Sequence, residues 1–216
     1  MKEIPLIIIG ASYAFEIIDL VNNINNSSKK KIKIVGILDD NKKFYKKKIL
    51  DIPVLGEIRD IVKFKKEKIN ISINNHKRRF VQKKLIKKYN IKLNRLLTLI
   101  HPNSVIGSNV KIGFGSVVFQ FVNIFSKAQI GYGVKIYPFA SINPFVKIGS
   151  YCTIAVGSTL AVSSNLGEES FMGIYSHISE NVIVAKGSMI CEKSYVNKNF
   201  LKKNIKLIGS PAREIL

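Results

Sequence analysis

Apolar and polar positions in the second half of the chain repeat every six residues. From residue 106 to residue 196, every sixth residue is aliphatic or methionine, and no insertion interrupts the count. Neither the two-residue period of a strand nor the helical period of about 3.6 produces this spacing. The sixteen residues, in order, are I, I, V, I, I, I, I, I, I, L, L, M, I, V, I and V.

The residue two positions before each of these is also restricted, because it is always small. From Ser104 to Ser194 these residues are S, V, S, V, A, V, A, V, C, S, S, S, S, V, S and S. Three hexads forming one triangular turn of eighteen residues would place both columns inside, where the walls converge. Stacked turns then pair as parallel sheets, so the pattern predicts a parallel β-helix of about five coils.

Glycine follows the apolar residue at positions 113, 131, 149 and 167, which are eighteen residues apart. We interpret these glycines as corner residues that need unusual backbone torsion angles. An ordinary series of short strands is the alternative to the coil. Sixteen matches in one register argue strongly against that alternative.

Residues 1–98 have a different rhythm, in which strands and helices alternate. The apolar run Ile4–Ile9 predicts a buried first strand, and a second strand ends at Leu38. Ile69–Ile73 predicts a third strand, and the residues 78–89 that follow it have the pattern of an amphipathic helix. This alternation predicts a small parallel α/β domain.

Polar and glycine residues follow the ends of these predicted strands, where parallel sheets bind ligands. A glycine turn before a helix suits phosphate, and a carboxylate after the second strand suits a ribose or a base. On spacing alone, a purely structural turn explains the first segment equally well. The candidate substrate-binding residues are Gly10, Ala11, Ser12, Asp39, Asp40, Asn74 and Asn75.

Charge and cysteine content narrow the choice of partners only slightly. The chain has 35 Lys and Arg against 14 Asp and Glu, giving a formal net charge of +21. Because lysine is scattered along the whole chain, we interpret the charge as solvated surface and expect no nucleic-acid partner. No apolar run is long enough to span a membrane, and two cysteines without metal-ligand spacing favour a reducing cytoplasm and no metal site.

The order of these features resembles a known group of proteins. The strand followed by G-A-S, the L-D-D, the I-N-N, the L-I-H-P and the closing G-S-P-A-R occur in the order found in bacterial sugar-nucleotide acyltransferases with hexapeptide repeats. That group includes sialic acid O-acetyltransferase and UDP-amino-sugar N-acetyltransferase. The resemblance implies a Rossmann-like α/β domain at 1–98 and a left-handed parallel β-helix at 99–216. It further implies acetyl-CoA as acyl donor, a sugar or nucleotide-linked sugar as acceptor, and a homotrimer.

The resemblance also assigns roles to residues of the coils, and it shows where this chain departs from the group. The position of the group's catalytic histidine falls on Pro144, and the acid that often precedes it falls on Asn143. A second histidine, near the acyl carbonyl, falls on Thr153. Gly157 and Gly173 match the side that binds CoA.

Proline has no group that titrates, so another base is needed at the acceptor. His177 and Asn143 are our two candidate catalytic residues, although His177 lies almost two coils from Pro144. His76 is interpreted as a loop residue, His101 as a structural residue at the domain junction, and Cys152 as a core thiol.

Two functions remain open from the sequence. The first is acyl transfer with a base that differs from that of the group. The second is a catalytically inactive trimeric scaffold or regulator that has kept the fold. Aromatic residues on the outer walls favour self-association, and we expect exposure at Phe119, Phe121, Phe125, Tyr132, Tyr137, Phe139 and Phe145.

Overall fold

The structure is a computed structural model that describes residues 3–73 and 80–215. The chain divides into two compact units, Met1–Pro102 and Asn103–Leu216. Within the described residues, no helix is both long enough and apolar enough to cross a membrane. No group of three or more metal-ligating side chains occurs among those residues either.

The first unit is an α/β sandwich around a five-stranded sheet with the order β3-β4-β2-β1-β5. β3 is antiparallel to β4, and the other neighbours are parallel. The four parallel strands therefore follow the order of one half of a Rossmann fold. The elements are β1 (Ile4–Ile9), α1 (Ala14–Ser27), β2 (Ile32–Leu38), β3 (Lys48–Ile49), β4 (Ile52–Gly56), β5 (Lys68–Ile71), α2 (Val81–Lys88) and β6 (Leu99–Ile100), with 3₁₀ segments at Lys42–Phe44, Ile58–Lys63 and Leu93–Arg95.

Burial explains the continuous apolar run of β1. Leu6 and Ile8 are fully buried, and so are Ile7 and Ile9 on the other face of the strand, because both faces of the sheet are covered. Ile7 and Ile9 join one core cluster with Leu85 of α2. The buried stripe of α1, which includes Ile17 and Val21, follows helical spacing.

The second unit contains sixteen strands of two residues, one in each hexad. They are β7 (Val105–Ile106), β8 (Lys111–Ile112), β9 (Val117–Val118), β10 (Asn123–Ile124), β11 (Gln129–Ile130), β12 (Lys135–Ile136), β13 (Ser141–Ile142), β14 (Lys147–Ile148), β15 (Thr153–Ile154), β16 (Thr159–Leu160), β17 (Asn165–Leu166), β18 (Phe171–Met172), β19 (His177–Ile178), β20 (Ile183–Val184), β21 (Met189–Ile190) and β22 (Tyr195–Val196). β23 (Lys206–Ile208) and β24 (Arg213–Ile215) form a closing antiparallel pair.

These strands build three parallel walls, because strands eighteen residues apart pair from β7 to β22, and β23 pairs with β21 at a spacing of seventeen. Wall A contains β7, β10, β13, β16, β19 and β22; wall B contains β8, β11, β14, β17 and β20; wall C contains β9, β12, β15, β18, β21 and β23. Ile142, Leu160 and Ile178 are successive rungs of one ladder inside wall A, and each is 0% exposed. The prediction of an α/β domain followed by a left-handed parallel β-helix is therefore confirmed.

The serines in the column of small residues line the interior, and most of their hydroxyl groups form hydrogen bonds. The hydroxyls of Ser158 and Ser176 both donate to the carbonyl oxygen of Gly173, each at 2.7 Å. Ser164 is the contrast, because its buried Oγ has no hydrogen-bond partner among the described residues. A small polar residue fits here because it can bond to the backbone of a neighbouring coil.

Every corner from Asn109 to Lys193 contains a residue with positive φ, and these residues recur every six positions with φ between 54° and 72°. Four of the fifteen are glycine, and Asn109 and Asn181 are asparagine. The other nine are serine, aromatic or charged residues held in the left-handed region, which costs them about 1 kcal/mol or more each.

The glycines at 113, 131, 149 and 167 are not these corner residues, so the expectation of unusual torsion angles was wrong. None of the four has a positive φ. A Cβ at each would instead lie 2.3–2.5 Å from backbone atoms of the next coil. Close stacking of coils, and not torsion, excludes a side chain there.

Two of the aromatic residues expected on the outer surface are covered. Phe119 is buried, and its ring stacks on that of half-buried Tyr137 with centroids 4.8 Å apart. The other five expected residues are exposed: Phe121, Phe125, Tyr132, Phe139 and Phe145.

Candidate functional site

The first candidate site lies at the carboxyl ends of β1 and β2. Because these strands are parallel neighbours, the loop after β1 meets the acidic pair after β2. The backbone N–H of Ala11 donates to Oδ2 of Asp39 at 2.7 Å. Gly10 has φ +104°, and a Cβ there would be 2.9 Å from the Ile73 side chain, so only glycine fits this turn.

Both carboxylates of this pair already hold the backbone in place. Oδ1 of Asp39 accepts from the Asn41 N–H at 2.7 Å, and Oδ1 of Asp40 accepts from the Ile58 N–H at 2.8 Å. An ionised carboxylate has about four acceptor positions, so each retains capacity for a ligand hydroxyl. The structure thus brings Ala11 and Asp39 together, while Asn74, Asn75 and His76 lie outside the described residues.

Aromatic side chains stand beside this loop where the resembling group has glycine. Tyr13 is 37% exposed and Phe15 is 44% exposed, and their ring centroids are 6.3 Å apart. The hydroxyl of Ser72, after β5, donates to the carbonyl oxygen of Tyr13 at 3.0 Å and fixes the start of α1. The loop therefore offers flat ring surface next to a carboxylate, which suits a base and a ribose more than a buried phosphate.

The second candidate site is the turn that follows β13 on wall A. Nδ2 of Asn143 donates to the carbonyl oxygen of Leu160 at 2.9 Å, and the backbone N–H of Asn143 donates to the same oxygen at 3.0 Å. Pro144 is half-buried, and its carbonyl oxygen accepts from Ser163 N–H at 3.0 Å. The amide of Asn143 is therefore held through one Nδ2 hydrogen, which leaves Oδ1 as an acceptor without a titrating proton and the second Nδ2 hydrogen as a donor.

The residues matched to CoA binding are distributed over wall C and the corner after it. Thr153 is half-buried on wall C and belongs to β15. Gly157 has φ +67°, and a Cβ there would be 2.3 Å from the ring of Tyr175. A Cβ at Gly173 would be 2.5 Å from the backbone nitrogen of Glu192, so packing alone requires both glycines.

His177 lies on the outer face of wall A, in register with Thr159 and two strands from Ser141. Two strand spacings are about 9.5 Å, so the fold does not bring its imidazole to Asn143. The ring lies against Tyr195, with centroids 5.3 Å apart. Burial lowers the pKa of His177 from its usual 6.5, so the imidazole is neutral at pH 7 and able to accept a proton.

The surroundings of Cys152 and His101 favour a structural role for both residues. Burial raises the pKa of the Cys152 thiol to about 12, and Sγ donates to the Gly167 carbonyl oxygen at 3.1 Å, so this cysteine is not a nucleophile at neutral pH. His101 is buried, and burial lowers its pKa as well.

Sequence reasoning missed the corner residues and the contact between Tyr175 and Gly157. A signal for the corners was present, because the Gly and Asn residues at 109, 115, 133, 157, 181 and 187 are separated by multiples of six. No signal pointed to Tyr175, because the contact joins residues eighteen positions apart at a corner occupied by several residue types.

Comparison with known proteins agrees with this two-part architecture. Residues 5–85 match the family model of the PglD N-terminal domain, and residues 127–161 match that of the bacterial transferase hexapeptide, described as six repeats. Residues 5–85 therefore resemble a PglD-type N-terminal domain, and residues 127–161 resemble the hexapeptide repeats of bacterial transferases. No curated protein sequence matches the chain.

Solved structures with the same fold align with almost the whole length of this chain. One is a variant of perosamine N-acetyltransferase from Caulobacter crescentus, with a histidine replaced by asparagine, in complex with CoA and GDP-perosamine (21% identity, 98% of this chain and 96% of that chain, TM-score 0.83). Another is the acetyltransferase domain of PglB from Neisseria gonorrhoeae FA1090 (20% identity, 98% of this chain and 99% of that chain, TM-score 0.81). WeeI from Acinetobacter baumannii AYE is similar as well (22% identity, 99% of this chain and 100% of that chain, TM-score 0.67). At these identities the likeness establishes the fold.

Proposed function

We propose that this protein transfers an acyl group, most simply acetyl, from acyl-CoA to a sugar or nucleotide-linked sugar in the biosynthesis of surface glycans. One observation carries the proposal: 98% of the chain follows the fold of a sugar N-acetyltransferase that was solved with CoA and GDP-perosamine. The similar PglB domain was also solved with acetyl-CoA. We place the reaction in the cytoplasm, where the free thiols of Cys152 and Cys191 would stay reduced.

The chemistry proposed for the coils depends on positioning. The acceptor nitrogen or oxygen forms a bond to the acyl carbon, the carbon–sulfur bond breaks, and the acceptor's proton ends on the CoA sulfur. An amine acceptor that is already neutral needs little help from a base, so orientation supplies much of the rate. Oδ1 of Asn143 would accept a hydrogen bond from that amine, because the bond from Nδ2 to the Leu160 carbonyl oxygen fixes the orientation of the side-chain amide.

His177 would serve as the base only for an acceptor that extends along wall A. Its neutral imidazole has the right protonation state, but a base must come within about 3 Å of its proton or act through one water. A role for His177 therefore requires the acceptor to span the two strands that separate it from Ser141. Activity of the His177→Ala and Asn143→Ala variants would separate the two proposed roles.

We also propose a homotrimer, because one corner of the β-helix has an exposed aromatic column. Phe121 and Phe139 stack with centroids 5.4 Å apart, and Tyr175 belongs to the same column. The three are 49%, 61% and 62% exposed, which is costly for an isolated monomer. Light scattering at micromolar concentration should give the mass of three chains, and the Phe121→Ser/Phe139→Ser variant should shift it downward.

An acyl-transfer assay with acetyl-CoA and a panel of nucleotide-linked amino and hydroxy sugars tests the function. Acylated product detected by mass spectrometry, together with CoA release, is the expected result. The rival function, an inactive trimeric relative, is favoured by Pro144 at the position matched to the catalytic histidine. Absence of product with every acceptor, together with no CoA binding by calorimetry, would favour that rival.

A further inference from the structure

Wall B has a polar outer face that the proposed chemistry does not use. Lys111, Gln129, Lys147 and Asn165 are successive rungs on its surface, paired strand to strand. They line a cavity of 550 Å³, within the range typical of small-molecule sites. The residues that complete the lining are Ile112, Gly113, Phe114, Ile130, Gly131, Tyr132, Ile148 and Gly149.

The charge of this cavity is entirely positive. Lys111 and Lys147 are both exposed and stand two strands apart, about 9.5 Å along the wall. None of the residues that line the cavity is acidic. Within the described part of the chain, neither lysine forms an ion pair. Two unneutralised ammonium groups, with the amide of Gln129 between them, are suited to an extended anion such as a diphosphate.

The edge of the cavity is aromatic. Phe114 and Tyr132 occupy equivalent positions in successive coils, and their rings stack with centroids 6.4 Å apart and planes at 10°. Phe114 is 47% exposed and Tyr132 is 41% exposed. The two rings are nearly parallel and both are exposed, so an outer ring face is open to stacking by a planar heterocycle such as a base.

We propose that wall B binds a nucleoside diphosphate group, with its base against Phe114 and Tyr132 and its phosphates at Lys111 and Lys147. Asn165 and Gln129 would supply hydrogen bonds to the ribose or the phosphates. Both substrates named under the proposed function, CoA and a nucleotide-linked sugar, contain this group, so the identity of the ligand rests on that function. The site itself rests on the lysine pair, the ring pair and the cavity.

Calorimetric titration with UDP, GDP, dTDP, CoA and inorganic pyrophosphate tests the site in wild type and in the Lys111→Gln/Lys147→Gln variant. Binding of at least one nucleotide should weaken by more than tenfold in the double variant and weaken further as salt is added. Lys206→Gln is the matched control, because Lys206 is an exposed lysine on wall C. Tyr132→Ala should weaken nucleotides and leave pyrophosphate unchanged, whereas Phe125→Ala, which changes an exposed ring outside the cavity, should alter neither.

The ligand that loses affinity in the lysine variant identifies the source of the nucleoside diphosphate. Nucleotide affinities equal in wild type, the wall B variants and Lys206→Gln would overturn the site, and so would no nucleotide binding at all. If acyl transfer is measurable and the wall B variants do not change it, the proposed wall B site is wrong and the proposed function stands. If nucleotides bind at wall B and no acceptor is acylated, the proposed function alone fails.

Discussion

The ring of Tyr175 lies where the side chain of residue 157 would otherwise be. These residues occupy the same corner in successive coils, and a Cβ added to Gly157 would be 2.3 Å from Cε1 of Tyr175. Gly157 also has φ +67°, a torsion that side chains rarely adopt. Glycine is therefore required at position 157 by the neighbouring ring and by the local backbone torsion, whether or not a ligand binds there.

Gly157→Ala should lower the free energy of unfolding by about 1–3 kcal/mol, through torsional strain and overlap with the ring. Tyr175→Ala alone should change it by less than about 0.5 kcal/mol, because Tyr175 is 62% exposed. The double variant should recover the part of the loss due to overlap. Chemical denaturation of all four proteins measures this coupling, and strictly additive effects would contradict the contact.

Leu50→Asn should stabilise the first unit. Leu50 and Asp51 form the two-residue turn between β3 and β4, with φ of 45° and 66°, and such turns favour Asn-Gly. Leu50 is 56% exposed and loses little packing, so the free energy of unfolding should rise by about 0.5–1 kcal/mol. Leu201→Asn is the control at an exposed leucine without positive φ, and an equal rise there would remove strain as the cause.

Asn70→Val should also raise stability, because Asn70 is 0% exposed and both polar atoms of its side chain lack a hydrogen-bond partner among the described residues. Replacing an unsatisfied buried amide in β5 by an apolar residue should add about 1–3 kcal/mol, measured by thermal or urea unfolding. Ser72→Ala, which removes the bond to Tyr13, should cost about 1 kcal/mol. A loss of stability in Asn70→Val would show that the amide is bonded in solution.

Stability should fall as the solution becomes acidic, through the titration of buried His101 and half-buried His177. Burial lowers the folded-state pKa of His177 and His101 from 6.5, so the unfolded chain binds more protons below that pH. The free energy of unfolding therefore decreases as pH falls below about 6.5. Thermal unfolding between about pH 7.5 and pH 5 measures the slope, and His177→Gln should make it shallower.

Pro144→His alone should leave acyl transfer within about tenfold of wild type, although a well-placed general base contributes about 10²–10⁴-fold. Asn143 beside it is bonded to Leu160 and provides no carboxylate to orient an imidazole, and Thr153 provides no second imidazole. Product formation by wild type, the single variant and Pro144→His/Asn143→Glu/Thr153→His measures the effect. A gain of 10²-fold or more in the single variant would contradict this prediction.

Sequence alone was sufficient to predict the architecture, because the pattern within each hexad identifies the residues that face inward. Ile142, Leu160 and Ile178 were assigned to the interior by counting in sixes, and all three are fully buried there. The α/β unit was predictable for a similar reason: the unbroken apolar run of β1 is typical of a strand buried on both faces. These are properties of short segments, and they do not depend on which segments become neighbours.

Tertiary structure decided the contacts that pair distant residues. It placed the ring of Tyr175 on Gly157, the carboxylate of Asp39 on the amide of Ala11, and a neighbouring coil against Gly149. It also placed the ring of His177 against that of Tyr195. Residues eighteen or more positions apart meet only when coils stack or strands align. Whether their atoms then overlap depends on the backbone spacing at the ångström scale, which no local pattern of residues specifies.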